Sequence, residues 1–218
     1  MKNIVLPLKQ HVGAPCKAIV SEGEYVKRGQ LIAVPGGLGA NIHASYSGTI
    51  TKVTDTDIHM AADDVQDFTT YVPIPEFQTN LEAIESAGVV GAGGAGFPTA
   101  VKLKTEIPNG VFIANAAECE PLLAHNIHQM ETQAAQLVRG IKYCMEITKA
   151  PKAYIAIKPK HKKAVVALIK ETKDEPNIDV FRLPDMYPAG DERVIVREIM
   201  GIVLEPGQLP GAVGACID

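Results

Sequence analysis

Two stretches of the chain carry residues whose types and spacing could do chemistry. The first is Gly91-Ala92-Gly93-Gly94-Ala95-Gly96-Phe97-Pro98-Thr99, and the second is Asn115-Ala116-Ala117-Glu118-Cys119-Glu120-Pro121. Four glycines in six residues are costly inside a helix or strand, so the first stretch reads as backbone built for close approach or positive φ. Pro98 suits a first helical turn, and Ala100-Val101-Lys102-Leu103 would continue that helix. A glycine loop feeding a helix N-terminus turns free N–H groups toward an anion, and Lys102 adds a positive charge one turn on. This is phosphate-binding architecture. The plainer alternative, a flexible linker, is opposed by Phe97-Pro98 and the helix behind them.

Composition narrows the class. At 218 residues the chain has room for one or two domains, and 46% hydrophobic with 21% charged residues is ordinary for a globular protein. A net charge of −4 gives no general attraction to nucleic acid or to an acidic membrane surface. The start of the chain has no signal-peptide pattern, and no apolar run is long enough to span a bilayer, which predicts a cytoplasmic protein without direct membrane insertion. The four cysteines, Cys16, Cys119, Cys144 and Cys216, are widely spaced without a CxxC pair and read mainly as small apolar residues. Cys119, between two acids, is the exception. His43 and His59 have no partner at ligand spacing, so no metal site is assigned.

The elements that must position these residues fall into two patterns. Up to about residue 76, short runs (Ile4–Leu8, Ala18–Val20, Gln30–Val34, Thr49–Val53 and Thr70–Ile74) are broken every eight to twelve residues by turn formers, which predicts an all-β unit. The acidic run Asp55, Asp57, Asp63, Asp64 and Asp67 reads as a solvated loop. Helical periodicity begins near Phe77. Thr79 or Asn80 can cap a helix over Leu81–Ala87 that Gly88 ends. Val111–Ala114, Ala153–Ile157 and Ile178–Leu183 read as buried strands. They alternate with helices over His125 to about Ile147, Lys162–Lys170 and Arg193–Met200, as in a mostly parallel α/β layer. Lys158, Lys160, Lys162 and Lys163 read as a solvated helix entrance. The expected domains are residues 1–77 and 78–205, with 206–218 the start of a further, truncated β domain.

Gly91-x-Gly93-x-x-Gly96 has the spacing of a Rossmann dinucleotide fingerprint, and Glu118 lies about as far on as a ribose-binding acid. That fingerprint must follow a strand, and only Val89-Val90 separates Gly88 from the loop, so the ordinary Rossmann reading is the weaker one.

Three motifs in order give a fuller match: residues 91–99, residues 115–121, and Tyr187-Pro188-Ala189-Gly190-Asp191-Glu192. Together they resemble the FMN- and NADH-binding domain of the complex I flavin subunit. They are more similar still to the C subunit of the Rnf electron-transport complex. The N-terminal hairpins Val20–Ile32 and Ile42–Val53 resemble the biotinyl/lipoyl-type barrel-sandwich hybrid that this relative carries in front. The turn Pro35–Asn41 has no carrier lysine, so a biotin or lipoyl carrier is disfavoured. Lys9–Cys16 looks like the soluble relatives, notably the proline reductase-associated electron transfer protein; the cobalamin reductase of propanediol microcompartments is another.

The resemblance implies an α+β chain with an α/β cofactor domain, and hydride transfer from NADH to FMN with no side chain as catalytic acid or base. It implies that Gly91, Gly93, Gly94 and Gly96 let FMN and dinucleotide lie against backbone, with Lys102 near the flavin phosphate. Asn115 and Glu118 would bond the flavin, Phe97 would stack on the dinucleotide, and Glu120 would hold a nicotinamide ribose. Gly190, Asp191 and Glu192 would line the nicotinamide side, with Tyr187 close to the flavin. Ala117 replaces the acid of complex I, as in the Rnf type. Leu103-Lys104-Thr105 stand where complex I has aromatics. Glu120 and Glu192 are expected to converge on one cleft and, by repelling a 2′-phosphate, to favour NADH over NADPH. The expected partner is a downstream redox protein or reductase complex, with the chain peripheral to a membrane or enzyme complex. The [4Fe–4S] clusters that the resemblance implies are expected only in a missing C-terminal region, which predicts weak FMN retention. A fold-retaining docking scaffold is the alternative.

Overall fold

The computed structural model describes residues 2–92, 96–120 and 122–218, and the chain divides into two compact units, Met1–Ala100 and Val101–Asp218.

The first unit holds β1 (Lys2–Pro7), β2 (Cys16–Ala18), β3 (Tyr25–Val26), β4 (Leu31–Pro35), β5 (Ile42–His43), β6 (Gly48–Val53), β7 (Asp57–Ala62) and α1 (Asn80–Ala87). One antiparallel sheet runs β1-β7-β6-β3 and another β2-β4-β5. Val26, Ile32, Ile50, Ile58 and Met60 are fully buried and form the core of this barrel-sandwich hybrid. Two readings change. The acidic run is not simply a loop: β7 lies within it, because Ile58, Met60 and Ala62 alternate inward while the aspartates flank them. Thr70–Ile74 forms no strand. It is held instead by Arg28, whose Nη1 donates to the Phe68 carbonyl at 3.0 Å and whose carbonyl accepts from Val72 N–H at 2.8 Å.

α1 begins on Thr79 with a reciprocal capping box to Glu82 and ends on Gly88 at φ 69°. α1 falls within the first compact unit, which ends at Ala100. None of α1's residues is buried, but its C-terminal end lies on the β unit, where Asn41 Nδ2 donates to the Ser86 carbonyl at 3.2 Å. Beyond it, an antiparallel bridge between Val90 and Pro98 closes the glycine loop, and Gly91 N–H donates to the Phe97 carbonyl at 2.9 Å.

The second unit holds β8 (Val111–Asn115), α3 (His125–Thr132), α4 (Ala134–Thr148), β9 (Lys152–Ile157), α5 (Lys162–Thr172), β10 (Ile178–Arg182), α6 (Glu192–Met200) and β11 (Ala215–Ile217). The short α2 (Thr99–Leu103) runs across the division. The sheet is parallel throughout, in the order β10-β9-β8-β11, with Ile113, Ile155 and Ile157 fully buried. On one face Ile195 and Val196 of α6 pack with Ile113 and Ile217. The long helix expected from His125 is two helices, because Gln133 leaves helical geometry at φ −133°, ψ 30° and ends one while preceding the next. Residues 206–218, expected to open another β domain, add β11 to this sheet: Ala215–Ile217 find parallel partners in Val111–Ile113. No helix of the described residues is long and apolar enough to cross a membrane.

Candidate functional site

The C-terminal ends of β8 and β9 deliver the candidate residues, the position where open parallel sheets place their ligands. Asn115 closes β8. Its backbone N–H donates to the Asp218 carbonyl at 2.8 Å, and its side-chain Oδ1 accepts from Ala117 N–H at 3.2 Å. Its Nδ2 donates to the Gly190 carbonyl at 3.0 Å. Gly190 N–H in turn points at Cys119 Sγ, 3.2 Å away. One carboxamide and one thiol thus stitch the loop after β8 to the loop before α6. A Cβ on residue 190 would stand 2.8 Å from the Ala117 carbonyl oxygen, so the approach requires glycine. Asp191 caps α6 by accepting from Arg193 N–H at 2.9 Å, and Arg193 reaches the Leu204 carbonyl at 2.8 Å. The motif 187–192 is therefore a helix entrance fixed from both sides.

Lys102 sits in a carboxylate setting. Its ammonium donates to the Ile217 carbonyl at 2.9 Å and lies 3.3 Å from Asp218 and 3.7 Å from Glu192. The side chains of Lys102 and Asp218 are 24% and 17% exposed, so this cluster is screened only in part by solvent.

Beside the stitched loops lies an open cleft of roughly 580 Å³, lined by Glu118, Glu120, Tyr187, Lys158, His161 and Asp185 among others. Glu118 accepts from Asn126 Nδ2 at 3.1 Å, and Lys160 pairs with Asp185 at 3.2 Å. Burial, followed by the charges of Lys160 and Lys158, lowers the pKa of His161, so the imidazole is neutral at pH 7.

Of the residues named from the sequence, Asn115, Cys119 and Gly190 meet directly, Lys102 meets Glu192, and Glu118, Glu120 and Tyr187 line the cleft. Glu120 lines the cleft, and Glu192 lies 3.7 Å from the Lys102 ammonium. Asp191 serves α6 as its cap. Gly91, Gly96 (φ 60°) and Phe97 belong to the first unit, whereas Gly93 and Gly94 lie outside the described residues. The helix expected behind the loop is a single turn, Thr99–Leu103, too short for a developed macrodipole. One reading of solvated residues changes, and one site residue was not foreseen. Lys158 is 4% exposed because it follows directly on the buried β9, and no periodicity marks such a strand-end position. Asp218, at the end of β11, joins the Lys102 cluster through a pairing that adjacent sequence does not announce.

Fold and site together define the class: a barrel-sandwich hybrid followed by an α/β domain of the complex I flavin-subunit type. Residues 84–218 match the Nuo51 FMN-binding domain, and residues 1–70 match the RnfC barrel sandwich hybrid domain. The chain belongs to the Nuo51 FMN-binding family, in the RnfC-like form. It is 33% identical to the C subunit of the proton-translocating ferredoxin:NAD(+) oxidoreductase complex of Clostridium ljungdahlii, over 99% of this chain and 51% of that one. It is 32% identical to the Na(+)-translocating counterpart of Acetobacterium woodii, over 98% of this chain and 52% of the relative. Cobalamin reductase PduS of Salmonella typhimurium is 38% identical over 77% of this chain and 33% of its own length. The chain thus spans about half the length of these two oxidoreductase relatives and a third of the reductase. Among solved structures, the NAD+-reducing [NiFe]-hydrogenase in the air-oxidized state shares the fold. Its TM-score is 0.55 at 22% identity, over 63% of this chain and 27% of that one.

Proposed function

We propose that this chain is the flavin-bearing part of an electron-transfer oxidoreductase, in which NADH reduces FMN and electrons pass to iron–sulfur centres outside residues 1–218 and to a partner reductase. The observation that carries this reading is the stitch of Asn115 and Cys119 onto Gly190, which holds backbone and carboxamide groups at the strand ends of a flavin-family domain. The donor set fits the group. An isoalloxazine edge calls for amide and carboxylate partners, which Asn115 and Glu118 supply, and a phosphate calls for a cation, which Lys102 supplies. FMN, when bound, would supply the two-electron to one-electron conversion. The chain's own residues bind and orient: Asn115 fixes the loops, Glu118 and Glu120 offer acceptors to a ribose or ring, and Tyr187, 79% exposed, offers a face for stacking. The loop residues Gly91, Gly93, Gly94, Gly96 and Phe97 keep their implied cofactor roles as part of this proposal. So do Lys102, Gly190, Asp191 and Glu192.

The names of the relatives support a partner complex of the ion-translocating oxidoreductase or cobalamin reductase kind; a proline reductase-associated partner and a cytoplasmic place stay part of the proposal through the sequence resemblance alone. The test is anaerobic. The purified chain is titrated with FMN, followed by flavin fluorescence, and NADH is then added. Saturable binding with bleaching of the flavin band is expected; a well-folded chain that binds no flavin overturns the proposal. One observation favours the scaffold reading, since the ammonium of Lys102 is already shared by Glu192, Asp218 and the Ile217 carbonyl. Lys102→Met separates the two, lowering FMN affinity about tenfold if the phosphate displaces those acids and not at all in a scaffold.

A further inference from the structure

We propose that Lys158 and His161 form a binding subsite for a phosphate group in the cleft beside Glu118 and Glu120. Lys158 is the first residue past β9, 4% exposed and on the lining of the cleft. Among the described residues its ammonium has no hydrogen bond or ion pair. The stem of Lys158 is buried while its ammonium reaches the cleft, where an anion can join it. Of the acids on the cleft, Asp185 pairs with Lys160 at 3.2 Å and Glu118 accepts from the neutral Asn126 side chain at 3.1 Å.

His161 provides an independent sign. Its Nε2 is buried and has no hydrogen-bond partner, an arrangement that native structures rarely leave without a ligand or water. The ring lines the same cleft, and as the Nε2–H tautomer it carries a donor for which the described residues offer no acceptor. His161 also stands at the N-cap of α5, an eleven-residue helix with no side-chain cap and no acid in its first turn. That helix end leaves free N–H groups and positive potential next to the ring. A lone carboxylate matches one or two of these donors. A phosphate presents enough oxygens, tetrahedrally arranged, for ammonium, imidazole and helix N–H together. A metal ion is excluded by the ammonium itself.

The phosphate has two possible sources: the pyrophosphate of a dinucleotide, or a separate phosphate ester. Only the first rests on the NADH reading above. The test uses the full 218-residue chain without cofactor. Inorganic pyrophosphate is titrated calorimetrically, and the His161 ring nitrogens are followed by NMR. One saturable site is expected, with the Nε2 resonance moving at the same midpoint. Lys158→Met should weaken it at least about tenfold, and Lys158→Arg should retain it. Should Lys158→Met fail to fold, His161→Phe provides the same comparison. Competition by NADH assigns the subsite to the dinucleotide; pyrophosphate that stays bound under saturating NADH assigns it to a separate ester. No saturable binding up to about 10 mM, unchanged affinity in Lys158→Met, or an unmoved His161 ring overturns the proposal. Wild-type chain that binds pyrophosphate but no FMN would fail the flavin reading and leave this subsite standing.

Discussion

At Gly190 a single hydrogen is what lets the loop before α6 lie against the loop after β8. An alanine there would put its Cβ 2.8 Å from the Ala117 carbonyl oxygen and 3.0 Å from Cys119 Sγ, both inside normal contact, and one neighbour is backbone that cannot rotate away. Gly190→Ala is therefore expected to cost about 1–3 kcal/mol in urea unfolding and to weaken FMN binding alongside. Unchanged stability would show that the loops yield freely. The thiols make a second residue-scale prediction. Burial above all pushes Cys144 from the ordinary value near 9 to about 12 and Cys216 to about 11, with Asp218 adding to both. A raised thiol pKa means that folding favours the protonated form. That contribution is complete below pH 9 and is lost as pH rises through 11 and 12. Denaturant stability should fall in that alkaline window, and Cys144→Ala should flatten the slope; an unaltered slope would refute the assignment.

Elements are set by their ends. α1 is legible because its capping box and its C-cap glycine are local signals, and both stand where the sequence puts them. Gly88 also carries a tertiary duty. Its φ of 69° disfavours any side chain, and a Cβ would lie 2.2 Å from the Asn41 carbonyl oxygen. Gly88→Ala should lower stability by at least about 1–2 kcal/mol in a thermal melt, more than an alanine in open αL geometry would. The β8 terminus supports a paired test. Asn115→Ala removes the bond to the Gly190 carbonyl and should cost about 1 kcal/mol. Asn115→Asp sets a carboxylate oxygen against that carbonyl and should cost more. Equal losses in the two variants would mean that Nδ2 is not the group that holds the loops.

Among the described residues, one core lies between antiparallel sheets and another against a parallel sheet. Ile50 and Ile113 are each fully buried, one in either core. Truncating either to alanine should cost about 2–5 kcal/mol. Limited proteolysis read by mass spectrometry should show the first new cleavages within the substituted unit. Cleavage spread evenly over both units in either variant would contradict the two-core description.

The sequence by itself determined the class of protein. The three motifs, the alternation of strands and helices after residue 80 and the lysine-free turn at residues 35–41 are all written in adjacent residues, and the fold they pointed to is the one found. What it could not determine depends on pairing across distance. β7 was hidden because flanking aspartates masked a period-two core face. The break at Gln133 carries no glycine or proline to announce it. That β11 joins β8 and brings Asp218 to Lys102 is decided by which edge of a parallel sheet remains open. The lysine run after β9 looks solvated in one dimension. Only the burial of the strand it follows makes Lys158 a buried residue of the cleft, while Lys160 on the same lining pairs with Asp185. Local patterns fix what a segment is. The neighbours that fix what each side chain faces come from elsewhere in the chain.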